Sequence, residues 1–141
     1  MGAAVAVSVA AVFVWLGMLL AISFIETPLK FRAPGVTLQL GLGIGRLVFR
    51  ALNACELALG AVVIACFVIS PPATGIAVAV AVAVVTLLAQ VLAVRPRLTR
   101  RSDAVLAGGE GPRSHAHWVY VGLEIVKVVA LLIAGVWLLA A

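Results

Sequence analysis

Residues 46–69 read RLVFRALNACELALGAVVIACFVI, and this run decides the fold class. The run holds 24 residues, and about 20 predominantly apolar residues are enough for one helix to cross a bilayer. Three similar runs occupy residues 2–25, 73–94 and 117–140. Because all four are much longer than the roughly 9–11 residues of a membrane β-strand, the sequence predicts an all-α bundle of four transmembrane helices.

The composition excludes a water-soluble globular protein. Of the 141 residues, 65% are hydrophobic and only 11% are charged, and the mean hydropathy is +1.29. A soluble domain contains roughly 45–50% apolar residues. The third of the chain that lies outside the four runs is too short for a second domain with its own core, so we expect a single integral membrane domain over residues 1–141.

The basic residues predict the topology and the partners. The formal net charge is +5, and nine of the ten lysines and arginines lie in or beside two long connectors, residues 26–45 and 95–116. Lysine and arginine concentrate in cytoplasmic loops, so we expect both connectors in the cytoplasm and both termini outside the cell membrane. Because these charges flank apolar runs, we expect no nucleic-acid partner. The expected partners are the lipid bilayer and, for the arginines in residues 95–101, anionic lipid headgroups.

Two pairs of segments indicate an internal repeat. Residues 47–56 align with residues 118–127, and residues 28–32 align with residues 96–100. The pairing predicts two helical hairpins that have the same orientation in the membrane. Parallel repeats of this kind occur in transporters that bind their substrate at the repeat interface.

Polar side chains form one stripe on each of two apolar runs. A helix that turns about 100° per residue places each set on one face. The second run carries Arg46, Arg50, Asn53 and Glu56. The fourth run carries His117, Tyr120, Glu124 and Lys127. Glu56 and Lys127 each lie about 15 Å along the helix from the first member of their stripe, which places them near the middle of the bilayer.

An unpaired charge at that depth costs at least about 2.5–3.5 kcal/mol, so these side chains are expected to pair inside the bundle. We predict that Lys127 bridges Glu124, three residues earlier on its own helix, and Glu56 on the neighbouring helix. Arg50 is expected to supply the second positive charge of a neutral network. Such a network either fixes the register of the helices or forms a binding site that responds to protons or ions, and the sequence leaves both interpretations open.

The sequence contains no motif that is typical of catalysis or of a metal site, so enzyme activity is disfavoured and no cofactor is predicted. His115 and His117 point to different sides of a helix, and a haem or transition-metal site that uses His117 is the weaker alternative. Cys55 and Cys66 are about 16 Å apart along a helix, too far for a disulfide.

The first 60 residues or so resemble a known family. The stretch Trp15-Leu16-Gly17, then Pro28 and Phe31, and then residues 45–49 (GRLVF) with Asn53 carry the likeness. This part of the chain resembles the small four-span membrane proteins that include transmembrane protein 205, and more remotely copper-resistance protein D. The resemblance implies a compact four-helix membrane protein with links to the export of, or tolerance to, metals or metal-containing drugs.

The favoured function is a small transport or binding module for an ion or for a small anionic or polar solute. The eight stripe residues would line its site. Glu26, Lys30 and Arg32 would form a cytoplasmic entrance. Four helices leave little room for an enclosed pathway, so we expect a homo-oligomer or a larger membrane complex. The alternatives are a structural or accessory subunit of such a complex and a haem- or metal-binding membrane redox protein.

Overall fold

The computed structural model describes residues 1–107 and 115–141. Within these residues it confirms the all-α fold, with four long helices and no strand. The helices are α1 (Ala3–Lys30), α2 (Leu38–Ile69), α3 (from Thr74 to Leu106) and α4 (His115–Ala140). All four contain a segment long and apolar enough to cross a bilayer, so the chain is a multi-pass integral membrane protein.

The helices extend beyond the apolar runs at the ends that carry the basic residues. Helix α1 continues to Lys30, α2 begins at Leu38, and α3 continues to Leu106. The connector expected at residues 26–45 is therefore only residues 31–37, where Gly35 turns the chain at a φ of +84°. Thr37 caps α2 by accepting a hydrogen bond of 3.1 Å from the backbone N–H of Leu40. Hydropathy marks where a helix leaves the bilayer, and the helix itself ends where its backbone is capped.

A π-helical turn interrupts both α1 and α3. The turns cover Leu20–Glu26 and Gln90–Val94, and each lies just before a proline, Pro28 in α1 and Pro96 in α3. Proline has no N–H and clashes with the carbonyl four residues earlier, so the helix changes its hydrogen bonding there. In α1 the hydroxyl of Thr27 donates to the carbonyl of Ile22 at 2.8 Å. The two turns occupy equivalent places in the two hairpins that the sequence pairing predicts.

The helices form a ring in which α2 and α4 lie diagonally opposite each other. Helix α1 packs against both α2 and α4, and α3 packs mainly against α4 and more lightly against α2. The prediction that α2 and α4 are neighbouring helices is therefore wrong, because α1 and α3 lie between them. The core between the four helices is apolar apart from one polar layer, and its fully buried large side chains include Trp15, Leu19, Leu52, Leu87 and Leu131.

Close packing between α1 and α4 depends on one glycine. A Cβ atom at Gly135 would lie 2.8 Å from Cζ of the Phe13 ring, whereas a Cβ at Gly122 on the same helix would meet nothing within 4 Å. We expect Gly135→Ala to lower the free energy of unfolding by about 1–2 kcal/mol, because overpacking displaces the ring. Gly122→Ala is the matched control and is expected to leave stability unchanged or slightly raised.

Thermal unfolding of the two variants in detergent checks this prediction. Equal melting temperatures for Gly135→Ala and Gly122→Ala would show that the Phe13 ring moves aside without cost.

Candidate functional site

A buried ion-pair triad lies at the centre of the bundle. The Nζ atom of Lys127 is 2.7 Å from Oε1 of Glu56 and 2.6 Å from Oε1 of Glu124. The side chains of Lys127 and Glu56 are fully buried, and that of Glu124 is 2% exposed. The structure confirms the prediction that Lys127 bridges the two glutamates, although it does so across the diagonal of the bundle.

The carboxylate of Glu56 receives donors from three helices. Its Oε1 atom accepts a hydrogen bond of 2.9 Å from the indole N–H of Trp15 on α1, in addition to the ammonium of Lys127 on α4. Its Oε2 atom accepts one of 3.0 Å from Nδ2 of Asn53, one turn earlier on α2. Trp15 thus places a polar donor from a mainly apolar helix face onto a buried charge.

The carboxylate of Glu124 is held in the same manner, by donors from α1, α3 and α4. Its Oε1 atom accepts a hydrogen bond of 2.9 Å from Nε2 of Gln90 on α3, in addition to the Lys127 ammonium. Its Oε2 atom accepts one of 2.5 Å from the hydroxyl of Ser23, which lies in the π turn of α1. All four helices therefore contribute to one polar layer, named here the central cluster: Trp15, Ser23, Asn53, Glu56, Gln90, Glu124 and Lys127.

Arg95 of α3 adjoins the central cluster on the side of the basic helix ends. Its Nη2 group donates to Oδ1 of Asn53 and to the hydroxyl of Tyr120, each at 3.1 Å. The guanidinium carbon lies 5.1 Å from the ring centres of both Phe49 and Tyr120, which is cation–π geometry. Arg50 is exposed on α2, so the expectation that Arg50 supplies the second positive charge is wrong and Arg95 has that position.

The π turn of α3 explains why Arg95 faces inward. Gln90 and Arg95 are five residues apart, which in a regular α-helix would turn them about 140° away from each other. The hydrogen bonds of a π turn span five residues and bring the two side chains onto one face. The sequence feature that could have indicated the inward direction of Arg95 is Pro96, which disturbs regular helix geometry just after Arg95.

The remaining predicted site residues lie outside the central cluster. Arg46 forms an ion pair of 2.7 Å with Asp103 of α3, and both side chains are partly or largely exposed. His117 is half-buried near the start of α4, with its ring in edge contact with the ring of Trp118. The side chain of His115 lies outside the described residues. Of the eight stripe residues, the structure brings together Asn53, Glu56, Tyr120, Glu124 and Lys127.

The three residues expected at a cytoplasmic entrance lie near the junction of α1 and α2. The Nζ atom of Lys30 is 3.9 Å from Oε2 of Glu26 and lies over the ring of Phe31, 5.5 Å from its centre. A Cβ atom at Gly45 would be 3.0 Å from the same Nζ atom, so Lys30 packs closely on α2. Arg32 is exposed in the turn that follows. Among the described residues, neither Glu26 nor Lys30 forms an ion pair with a member of the central cluster.

The charges of the central cluster and Arg95 balance. Glu56 and Glu124 carry two negative charges, and Lys127 and Arg95 carry two positive charges. Within the described residues, Oε1 of Gln90 and Nε of Arg95 are buried without a hydrogen-bond partner. Because buried polar atoms are nearly always paired, these two atoms mark where the network is incomplete.

Metal ligands are not grouped in the part of the chain that the structure describes. No three histidine, cysteine, aspartate or glutamate side chains there lie close enough together to hold a metal ion. Both cysteines are free, Cys55 exposed and Cys66 buried. The buried carboxylates of Glu56 and Glu124 instead accept hydrogen bonds from ammonium, amide, indole and hydroxyl donors.

Comparisons of this chain with protein-family models, with curated proteins and with solved structures find no match. The resemblance of the first 60 residues to small four-span membrane proteins remains a prediction. The geometry of the central cluster is therefore the basis for any functional assignment.

Proposed function

We propose that the protein binds a small ionic or polar solute and moves it across the membrane, with the central cluster as part of its binding site. The observation that carries this proposal is the single ammonium of Lys127 shared between two carboxylates that come from opposite helices. A buried charged group in a membrane is costly and is typical of ion and proton pathways.

The position of the triad supports this role. Lys127 is 12 residues from the start of α4 and 13 from its end, which is about 18–20 Å in either direction. Substrate sites of transporters lie near the middle of the bilayer, often at helices that are interrupted. Here α1 and α3 are interrupted by π turns, and Ser23 and Gln90 of those turns bind Glu124.

The charge balance indicates how transport would be coupled. The cluster with Arg95 is neutral, so a solute anion that binds there adds one uncompensated negative charge at mid-membrane. Such a charge is unfavourable in hydrocarbon unless a proton or a monovalent cation enters with it. Coupled movement of the anion and a cation is the result that this arrangement favours.

The topology proposed for this activity places the basic helix ends in the cytoplasm and both termini on the opposite side. The exposed arginines of α3 would lie against anionic headgroups there. We propose an oligomer, because four helices leave little room for an enclosed pathway.

Flux into liposomes tests the proposal. Purified protein in vesicles is expected to take up a small anion faster when a proton gradient points inward. Glu56→Gln removes one negative charge of the balanced set, so the bound anion no longer needs an accompanying cation, and the acceleration by the proton gradient is expected to be lost. Asp103→Asn neutralises an exposed carboxylate outside the cluster and is the control. Uptake that is equal in empty vesicles, or that is unaffected by Glu56→Gln, contradicts transport through this site.

A structural or accessory role is the second candidate, and one observation favours it. Each carboxylate oxygen of Glu56 and Glu124 already has at least one donor, as in a network that fixes helix register. In that case the vesicles show no flux, and a partner membrane protein co-purifies with the chain in mild detergent.

A further inference from the structure

Arg95 differs from the other charged side chains of the polar layer in having no carboxylate within ion-pair distance among residues 1–107 and 115–141. Its two hydrogen bonds are both made by Nη2, and both acceptors are neutral. Its Nε atom is buried without a partner. A cation that packs against two aromatic rings and keeps a free donor is well suited to hold an anion.

Gln90, five residues before Arg95 on α3, supplies a second unpaired atom. Its side chain is fully buried, its Nε2 group donates to Glu124 and to the backbone carbonyl of Tyr120, and its Oε1 atom has no partner. Arg95 donates to the hydroxyl of the same Tyr120. The π turn thus places an unpaired donor and an unpaired acceptor on one helix face, where both side chains contact one tyrosine.

We propose that Arg95 and Gln90 bind a phosphate oxyanion that carries a hydroxyl group. The Nε–H of Arg95 donates to an anionic oxygen, and Oε1 of Gln90 accepts the hydroxyl hydrogen. This inference names the substrate class of the site in the proposed function and rests on that function for its role in transport. The positive charge of the surrounding helix ends raises the local concentration of anions.

Two sources offer this chemistry. One is free inorganic phosphate from the aqueous phase, which has both an anionic oxygen and a hydroxyl near neutral pH. The other is a lipid headgroup such as phosphatidylglycerol, which has an anionic phosphodiester and glycerol hydroxyls. Both present the same two groups to Arg95 and Gln90.

Equilibrium binding of radiolabelled inorganic phosphate to the full chain in phosphatidylcholine nanodiscs tests the site. Sulfate is the matched competitor, since it has a similar shape and no hydroxyl hydrogen at neutral pH. Phosphate is expected to bind about tenfold or more tightly than sulfate, because sulfate leaves Oε1 of Gln90 unpaired. Gln90→Leu is expected to remove this preference.

Arg95→Gln is expected to weaken phosphate binding about tenfold or more, because it removes a charge-assisted hydrogen bond. Arg97→Gln changes an exposed arginine two residues away and is expected to stay within about twofold of the wild type. Should Arg95→Gln not fold, as judged by thermal unfolding, Arg95→Lys keeps the charge, lacks Nε and is expected to show the same loss.

Phosphate binding that is unchanged in both Arg95 variants overturns the proposal. An equal loss in Arg97→Gln also overturns it, because that result indicates diffuse attraction to the basic surface. A repeat in phosphatidylglycerol nanodiscs distinguishes the sources: lost phosphate binding supports a headgroup in the site, and retained binding supports a free phosphate.

These outcomes are separable from those of the flux assay. A protein that binds phosphate through Arg95 and transports nothing contradicts the proposed function and leaves this site intact. Anion flux that depends on Glu56, together with phosphate binding that is indifferent to Arg95, overturns this inference alone.

Discussion

Lys127→Met is expected to lower the free energy of unfolding by about 3–5 kcal/mol, because it leaves two buried carboxylates without their shared cation. A loss of that size corresponds to a fall in melting temperature on the order of 10 °C. Thermal unfolding of the purified protein in detergent measures it, with the fraction inserted into membranes as a second readout.

Lys30→Met makes the same chemical change at the basic end of α1 and serves as the control. The carboxylate nearest to Lys30 is 3.9 Å away, beyond hydrogen-bond distance, and belongs to a side chain that is 36% exposed, so Lys30 stabilises it less than Lys127 stabilises its two buried glutamates. We expect a loss of about 1 kcal/mol or less there. Normal insertion, a melting temperature equal to that of the wild type and full activity for Lys127→Met would show that the triad matters neither for stability nor for function.

The neutral variant Glu56→Gln/Glu124→Gln/Arg95→Gln/Lys127→Met, which removes all four charges of the balanced set, is expected to regain most of the stability that Lys127→Met loses, about 2–4 kcal/mol. Replacing a complete buried ion-pair set often costs little, whereas removing one partner leaves an uncompensated charge. The glutamine carbonyls can still accept hydrogen bonds from Trp15 and Gln90. The same thermal unfolding measurement compares the variants.

Flux measured on this neutral variant separates stability from activity. If the charges act in transport, the variant folds and carries no anion against the wild-type control. A neutral variant that is as unstable as Lys127→Met would show that charge imbalance is not the origin of the loss. A stable neutral variant with wild-type flux would show that the charges have no part in transport.

The ion-pair triad could be predicted from the sequence because hydrocarbon leaves a charged side chain few alternatives. Glu56, Glu124 and Lys127 lie in apolar runs at similar depth, and the cost of leaving any of them unpaired is large. The prediction that Arg50 supplies the second positive charge was wrong for a different reason. Arg50 and Arg95 both lie near the basic helix ends, and a regular 3.6-residue period places only Arg50 on the polar face.

The donors from α1 and α3 were also missed. Trp15, Ser23 and Gln90 occur singly in apolar runs, where each has a simpler interpretation as a packing or boundary residue. Their role follows from the packing of α1 against α2 and α4 and of α3 against α4, which brings their polar atoms to the carboxylates. A linear pattern does not encode which helices are adjacent.

The amino-acid sequence alone determined that four apolar helices span the membrane and that the charges of α2 and α4 pair between them, since lipid offers no other partner for backbone or charged groups. Only the tertiary structure decided that these two helices face each other across a diagonal, and that Arg95 completes the polar layer. The physical reason is local. The prolines of α1 and α3 are accompanied by π turns, and these turns rotate the side chains that follow onto a face that they would not occupy in a regular helix.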